Sequence, residues 1–553
     1  MLKNVNLQLA EGGRNLRKAR GAFFTPTAVS AFITRWAVSK STDRVLEPSC
    51  GEAAFLLEVG ARLWELGLRE GIAGQLHGIE IHGPSAGQAR KRLESTGLEA
   101  QIAVGDFFDF ADNARYDAVV GNPPYIRYQE FAGTARLKAL KAASAQDVSL
   151  TKLASSWAAF TVHAASFLKP DGRLGLVLPA ELLSVNYAAP VRAFLLRRFS
   201  RIRLVLFRER IFPGVSEEVV LLLAEGRGPI QHFEVFHAGK LADIEDREAI
   251  SWTLVPIDFD GKWSIALLRG EASDSYDRLA GDVKSFVPLL HWGDPTLGMV
   301  TGNNKYFTLT RDQARSWGLG KDELLTISPP GSRHLRGLSF SSQDWQRLCD
   351  IGQPVFLFRP LAERLSSAAE AFVKAGEEEG IQEAYKCRVR RPWWRVPLVP
   401  APHLFLTYMN HDAPRLVANS AGARHLNSVH GLRLREEAKS LGVELLPLAM
   451  LNSVTLLGAE LVGRSYGGGI LKIEPKEADR LPVPSAALLG SLRSPLRNLL
   501  DNAAELLLER KLDDVVDLVD DLLLVHGLEL PATELRRLQQ ARQELFSRRT
   551  ARH

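Results

Sequence analysis

From Asp43 to about Leu183 the chain alternates short apolar strands with helical stretches, and this alternation constrains its fold more than any other feature. "DRVLEPSCG" is a strand running into a turn, and "AAFLLEVGARLWELGLREG" follows with helical spacing and a closing glycine. "QLHGIEI" and "SAGQARKRLESTG" repeat the pair, and "QIAVGDFFDF", "YDAVVGNPPY" and "GRLGLVLPAELL" supply further strands. The last is preceded by a long helix, "SSWAAFTVHAASFLKPDG", expected to stop at Pro170 and Gly172. A chain of this kind buries each strand on both faces, so the fold class is α/β: a doubly wound, mostly parallel sheet. An α+β domain and a C-terminal helical segment are expected after it.

Ligands of such sheets sit beyond the carboxyl ends of the strands. Those ends carry Glu47, Glu80, Asp106 and Asn122-Pro123-Pro124-Tyr125. Gly51 lets the backbone come close to a ligand where the first helix begins. Glu80 is placed to take both hydroxyls of a ribose. Asp106 can accept an exocyclic amino hydrogen, with Phe107 beside it to cover a purine. Any one of these carboxylates alone reads as a surface group or helix cap. Together they describe a site for a nucleoside-containing cofactor, although no GxGxxG is present. The Asn-Pro-Pro-Tyr run is stiff, because both prolines fix φ and lack an N–H. Alone it reads equally well as a rigid turn.

The chain has 553 residues, 46% of them hydrophobic and 24% charged, an ordinary globular balance that leaves room for several domains. Its three cysteines, Cys50, Cys349 and Cys387, form no CxxC pair and no zinc-ligand spacing, so no metal site is expected. No signal-like N-terminus and no run of about 18 apolar residues is found, which predicts a cytoplasmic protein without a membrane partner. The net charge of +5 permits a polyanionic partner but does not establish one.

The motifs, in order, resemble those of the gamma-class (TaqI-like and Eco57I-like) N6-adenine DNA methyltransferases of restriction–modification systems. "ARGAFFTPTAVSAFI", "VLEPSCGEAAFL", "GIEI", "GDFFDF" and "GNPPYIRY" resemble that family's cofactor and catalytic motifs, with Ala53 where its first cofactor motif has a second glycine. "LKPDGRLGLVLPAELL" and "RIFPGVSEEVVLLL" resemble the strands beyond them. The resemblance implies a class I methyltransferase fold and S-adenosylmethionine as cofactor. Thr25 would hold the methionine carboxylate, with Glu47, Cys50 and Gly51 around the amino-acid moiety. Glu80 would bind the ribose, Ile81 and Phe107 would sandwich the cofactor adenine, and Asp106 would meet its amino group. Asn122, Pro123, Pro124 and Tyr125 would hold the target base, with Tyr125 and Phe212 on its two faces.

The expected organisation is a catalytic domain over 1–230, a connecting region over 231–288, a target-recognition domain over 289–488 and a helical segment over 489–553. Double-stranded DNA is the expected substrate, with room for a separate restriction endonuclease acting on the same site, and the chain is expected to be a monomer. Asn-Pro-Pro-Tyr also serves protein-glutamine methyltransferases, which are far shorter. Methylation of RNA adenine, or a DNA-binding specificity protein without catalysis, stays open at this point.

In the second half, "YKCRVRRPWWRVP" interleaves Lys386, Arg388, Arg390, Arg391 and Arg395 with two tryptophans and no acid, a pattern suited to a phosphate backbone. The alternative is a strand edge with one tryptophan in the core. "TGNNKY" and "RSYGGGI" are tight loops that either approach DNA or merely turn. The aspartates at 513, 514, 517, 520 and 521 read as a solvated helix face, and the Arg-rich last helix either packs or touches phosphate.

Overall fold

The computed structural model describes residues 25–111, 116–209, 211–212, 218–246, 250–256, 262–268, 270–361, 364–466 and 468–550. Two compact units divide at Leu267/Leu268.

The first unit is built on a nine-stranded sheet. In chain order its strands are β1 (Val45–Glu47), β2 (Leu76–Glu80), β3 (Gln101–Val104), β4 (Tyr116–Gly121), β5 (Leu168–Pro179), β6 (Arg201–Phe207), β7 (Val219–Glu225), β8 (His232–Ala238) and β9 (Thr253–Pro256). Their spatial order is β3-β2-β1-β4-β5-β7-β6-β8-β9. Strands β3 to β5 are all parallel, while β7 inserts antiparallel between β5 and β6. The sheet is doubly wound and mostly parallel, as the alternation predicts. Strands β8 and β9 extend it through residues expected to form a connecting region. The strand order reverses between β1 and β4, which opens a crevice beyond their carboxyl ends.

Helices α1 (Thr27–Ala37), α2 (Ala54–Glu65), α3 (Gly83–Ser95), α4 (Gly133–Ser144) and α5 (Ser156–Ser166) flank these strands. Helix α5 differs from its expected end. It stops at Ser166, and β5 begins at Leu168, so Pro170 and Gly172 lie inside the strand. The register against β4 jumps from Tyr116–Leu168 to Ala118–Arg173. Proline is tolerated here because the extra residues leave the ladder, as in a bulge.

The second unit holds small sheets and many helices. Its largest sheet is antiparallel, in the order Gly293–Leu297, Val429–Leu434, Leu404–Thr407, Leu416–Ala418. The aspartate-rich helix Leu512–Asp520 departs from the solvated face expected of it. Asp513, Asp514, Asp517 and Asp521 are exposed, but Asp520 is fully buried. Its carboxylate accepts the Ser453 N–H (2.7 Å) and hydroxyl (2.6 Å), capping the helix Ser453–Val462. Burial pushes its pKa up to about 6, against the lowering effect of those donors. A carboxyl raised in the folded state favours folding most below its ordinary pKa, and that benefit is lost as pH rises to 6. Wild-type stability minus that of Asp520→Asn should therefore fall by about 2–3 kcal/mol between pH 4 and 6.5. Denaturant titrations at several pH values read this directly, and parallel curves would refute it.

Among the described residues no single helix is long and apolar enough to cross a membrane.

Candidate active site

Strand β1 ends in Glu47, which is buried and accepts the Leu56 N–H (3.0 Å) in the first turn of α2. Burial raises its pKa well above the usual carboxylate range. Glu47 therefore fixes the turn between β1 and α2 from inside. In that turn Gly51 has φ +51° and Ala53 φ +69°. A side chain on Gly51 would meet no atom within 4 Å, so it would project into open space where a ligand can sit. Ala53 takes the left-handed conformation at a strain cost, but the residue is fully buried. Its methyl group points into the core and leaves the crevice uncrowded. Cys50 is buried, and burial together with Glu47 and Glu80 pushes its thiol up, so it is no nucleophile.

Strand β2 delivers Glu80 to the same place. One carboxylate oxygen accepts the Gly51 N–H (2.9 Å) and the other the His82 N–H (2.8 Å). Each oxygen keeps a lone pair for a hydroxyl. Ile81, next to it, is 68% exposed, which is unusual for isoleucine and suits an apolar ring laid upon it. Asp106, beyond β3, accepts the Phe108 N–H (3.1 Å) and lies 3.5 Å from the Lys138 ammonium.

Two aromatic assignments need correction. Phe107 does not stand beside Asp106 as a wall: it is 4% exposed, and its ring packs among Phe160, His163 and Phe167. Residue 107 opens a short 3-10 turn that swings the ring inward. Of the expected sandwich, Ile81 alone is exposed. Phe212 is likewise buried, 5% exposed, in a cluster with Val29, Phe32, Phe207 and Val219. Burying a phenyl ring stabilises by roughly 1.5–3 kcal/mol, and at Phe212 that gain outweighs standing free on the rim. The Pro213-Gly214 turn expected after it lies outside the described residues, as do residues 19–24 of the N-terminal motif.

Strand β4 leads into Asn122-Pro123-Pro124-Tyr125, and the surrounding bonds show why the loop is rigid. The Asn122 side chain is held on both ends. Its Nδ2 donates to the Thr25 hydroxyl (3.2 Å), and its Oδ1 lies 2.8 Å from the Tyr125 hydroxyl. That hydroxyl is also 2.9 Å from the Val177 carbonyl on β5. Thr25, itself buried, is thus held against the Asn122 amide. Tyr125 is half-buried, packed against both cores of the unit.

The three loop carbonyls differ in use. That of Asn122 accepts from the Ser49 hydroxyl (3.3 Å), and that of Pro124 from the Ser156 hydroxyl (2.5 Å). Among the described residues nothing hydrogen-bonds the Pro123 carbonyl. Two acceptors on consecutive residues therefore stay open among the described residues: the second lone pair of Asn122 Oδ1 and the Pro123 oxygen. Two N–H bonds of one amino group match that pair.

No sequence motif marks Ser49 or Ser156 for this role. Ser156 starts α5 and also accepts the Ile126 N–H (2.9 Å), so one hydroxyl ties both sides of the loop. Its signal, a serine opening a helix, reads as ordinary capping. Ser156→Ala should lower single-turnover rate about tenfold, the equivalent of roughly 1.4 kcal/mol, with cofactor affinity unchanged. An unaltered rate would mean the prolines alone fix the loop.

Of the basic residues in the second unit, Lys386, Arg388 and Arg391 are exposed. Arg390 and Arg395 differ from expectation. Arg390 donates to the Val300 carbonyl (2.6 Å) and lies 6.0 Å over the Phe307 ring, and burial lowers its pKa. Arg395 is half-buried, its guanidinium 5.5 Å over the Trp394 ring. Both are engaged in packing within this unit, Arg390 through Val300 and Phe307 and Arg395 against Trp394. The "RSYGGGI" loop is a hairpin whose Gly469 carbonyl accepts from Arg549 of the last helix. It is a turn packed on its own unit. Among the described residues no cluster of metal-ligating side chains occurs.

Comparison with known proteins gives two family matches. Residues 8–236 match the family described as N-6 DNA Methylase, and residues 260–524 the family described as the C-terminal domain of type II methyltransferase M.Eco57I. The type II methyltransferase M.AccI of Acinetobacter calcoaceticus is 21% identical over 92% of this chain and 93% of its own. M.XamI of Xanthomonas campestris pv. amaranthicola is 25% identical over 84% of this chain and 85% of its own. Among solved structures, the type IIL restriction-modification enzyme MmeI in complex with DNA superposes with a TM-score of 0.47 at 11% identity, covering 94% of this chain and 75% of that one.

Proposed function

We propose that the chain is a gamma-class N6-adenine DNA methyltransferase of a restriction–modification system, and that its first unit transfers a methyl group from S-adenosylmethionine to N6 of an adenine at a specific DNA site. The observation that carries this is the pair of acceptors that stays open among the described residues, the second lone pair of Asn122 Oδ1 and the Pro123 carbonyl, together with a crevice lined by Glu80, Ile81 and the open space at Gly51. S-adenosylmethionine supplies, when bound, a methyl group activated by a positively charged sulfur. Its ribose hydroxyls fit the remaining lone pairs of Glu80, and its adenine fits the exposed face of Ile81 and the carboxylate of Asp106. Glu47, Cys50 and Gly51 shape the turn that takes the amino-acid end, with Thr25 at its border.

The exocyclic nitrogen of adenine is a poor nucleophile because its lone pair is spread into the ring. Asn122 Oδ1 and the Pro123 carbonyl each accept one N6–H. Held this way, the nitrogen is favoured in a tetrahedral form whose lone pair faces away from both acceptors. The acceptors thus bind the transition state more tightly than the planar base. Pro123 and Pro124 keep the carbonyl in place, so little reorganisation accompanies reaction. Tyr125 offers its ring to a base taken out of the duplex, as an enzyme acting on a base requires.

Residues 289–488 read the target sequence, with Lys386, Arg388 and Arg391 on the phosphate backbone. The protein works as a cytoplasmic monomer and protects sites cut by a separate restriction endonuclease. Sequencing modified bases in DNA from cells expressing the protein tests the reading. Methylated adenine at one short recurrent sequence is expected. DNA without new methyladenine would overturn it.

A further inference from the structure

Four segments of the second unit that lie far apart in the chain come together without a single acidic residue. They are 299–305 ("MVTGNNK"), 327–337 ("ISPPGSRHLRG"), 385–395 ("YKCRVRRPWWR") and 421–428 ("AGARHLNS"). They carry nine lysines and arginines. Over the whole chain basic and acidic residues nearly balance, at 69 and 64, so this segregation is local.

Hydrogen bonds set their adjacency. Met299 forms a parallel bridge with Leu426, its N–H donating to the His425 carbonyl (2.9 Å) while the Asn427 N–H donates back to the Met299 carbonyl (3.1 Å). Ile327 bridges Arg424 in the same way, and Gly331 N–H donates to the Ser428 hydroxyl (2.9 Å). On the other side, Arg390 donates to the Val300 carbonyl and the Cys387 thiol to the Thr301 carbonyl (3.7 Å). A side chain on Gly302 would come within 3.1 Å of Lys386 Cβ, which leaves glycine, at φ +91°, the residue that lets these segments close up.

The order across the surface is therefore 385–391, 301–305, 427–428, 331–333. Its cations are not equivalent. Arg390 is spent on packing, and Arg336 is paired with Asp412 (2.7 Å). Lys305, Arg333, Lys386, Arg388 and Arg391 are exposed. Between them sits Asn427, half-buried, whose carboxamide makes no hydrogen bond to any described residue. A half-buried amide with both its donor and acceptor unused, set among exposed cations, has the two chemistries a duplex asks for. Cations neutralise phosphates without regard to sequence, whereas a carboxamide can pair with a base edge, most completely with N6 and N7 of adenine.

We propose that these four segments form the surface on which the second unit grips duplex DNA, with Lys305 and Arg333 on the phosphate backbone and Asn427 reading a base. This rests on the DNA methyltransferase reading and adds the surface and the division of labour within it. Lys305 and Arg333 lie outside the basic run at 385–395, which makes them a sharp test.

The experiment uses the full-length protein as wild type, Lys305→Ala/Arg333→Ala and Asn427→Ala. Duplex binding is measured against salt, modified bases are sequenced, and S-adenosylmethionine affinity is measured without DNA to verify folding. The double cation variant should bind all duplexes more weakly, with the slope of log affinity against log salt reduced by about two. Asn427→Ala should keep that slope but lose discrimination at one base pair, on the order of ten- to a hundredfold. An unchanged slope together with unchanged site preference, in variants that still methylate adenine, would remove this surface and leave the enzyme's function standing. Wild-type protein that methylates no DNA adenine would instead remove the reading beneath it.

Discussion

Asn122→Ala should bind S-adenosylmethionine and DNA as the wild type does and yet lose a factor of about 10²–10³ in methylation rate, the usual effect of removing one preorganised hydrogen-bonding group at a reacting centre. The substitution removes one of two acceptors for the amino group and leaves the other, the Pro123 carbonyl, in place. It also releases the Thr25 and Tyr125 hydroxyls, which bracket the amide at 3.2 and 2.8 Å. The Tyr125 hydroxyl keeps the Val177 carbonyl as a partner, so the ring should stay where it is. The loss therefore falls on the chemical step and not on affinity. Single-turnover kinetics at saturating cofactor and DNA separate the two. A variant with weakened DNA binding and a normal single-turnover rate would move Asn122 from chemistry to docking.

The second large effect concerns the last helix, Ala532–Thr550. Its arginines read from sequence as either packing or phosphate-binding, and Arg549 packs. The side chains of Arg549 and Glu460 are 3% and 8% exposed and pair at 2.8 Å. The guanidinium also donates to the carbonyls of His411, Asp412 and Gly469. Arg542 and Arg537 pair with Asp513 and Glu271. Glu460→Ala would leave a buried cation without its counter-ion, at a cost of about 3–5 kcal/mol. The denaturant midpoint of the second unit should drop accordingly. Glu460→Met combined with Arg549→Met should recover most of it, because a well-packed apolar pair avoids the desolvation cost of the ions. A single variant as stable as the wild type would show that the backbone carbonyls alone compensate the charge.

These residues show which parts of the molecule can be read in a chain of letters. The parallel part of the first sheet was legible because β1, β2 and β4 are short, apolar strands each followed by a helix, which admits few topologies. The polar strand ends were legible for the same reason: a carboxylate at the end of a buried strand has few places to point. Phe107 and Phe212 were not. An aromatic beside a strand end looks the same whether it faces a ligand or the core, and three-dimensional neighbours such as Phe160 and Phe32 decide it. Ser156 and Ser49 escaped because a single hydroxyl carries no pattern. Strands β8 and β9 escaped because they continue the sheet beyond the last motif. In the second unit the basic run at 386–395 was visible, but which arginines are spent on packing depends on Val300, Phe307 and Trp394.

The central claim is that the Asn122–Pro123 acceptor pair directs a methyl group onto N6 of a DNA adenine. It is tested most directly by incubating wild type and Asn122→Ala with duplex DNA and methyl-labelled S-adenosylmethionine, then digesting the DNA to nucleosides. Label in N6-methyldeoxyadenosine from the wild type, reduced by about 10²–10³ in initial rate for the variant, is the predicted result. Label in methylcytosine or in protein, or equal rates from the two proteins, would contradict it.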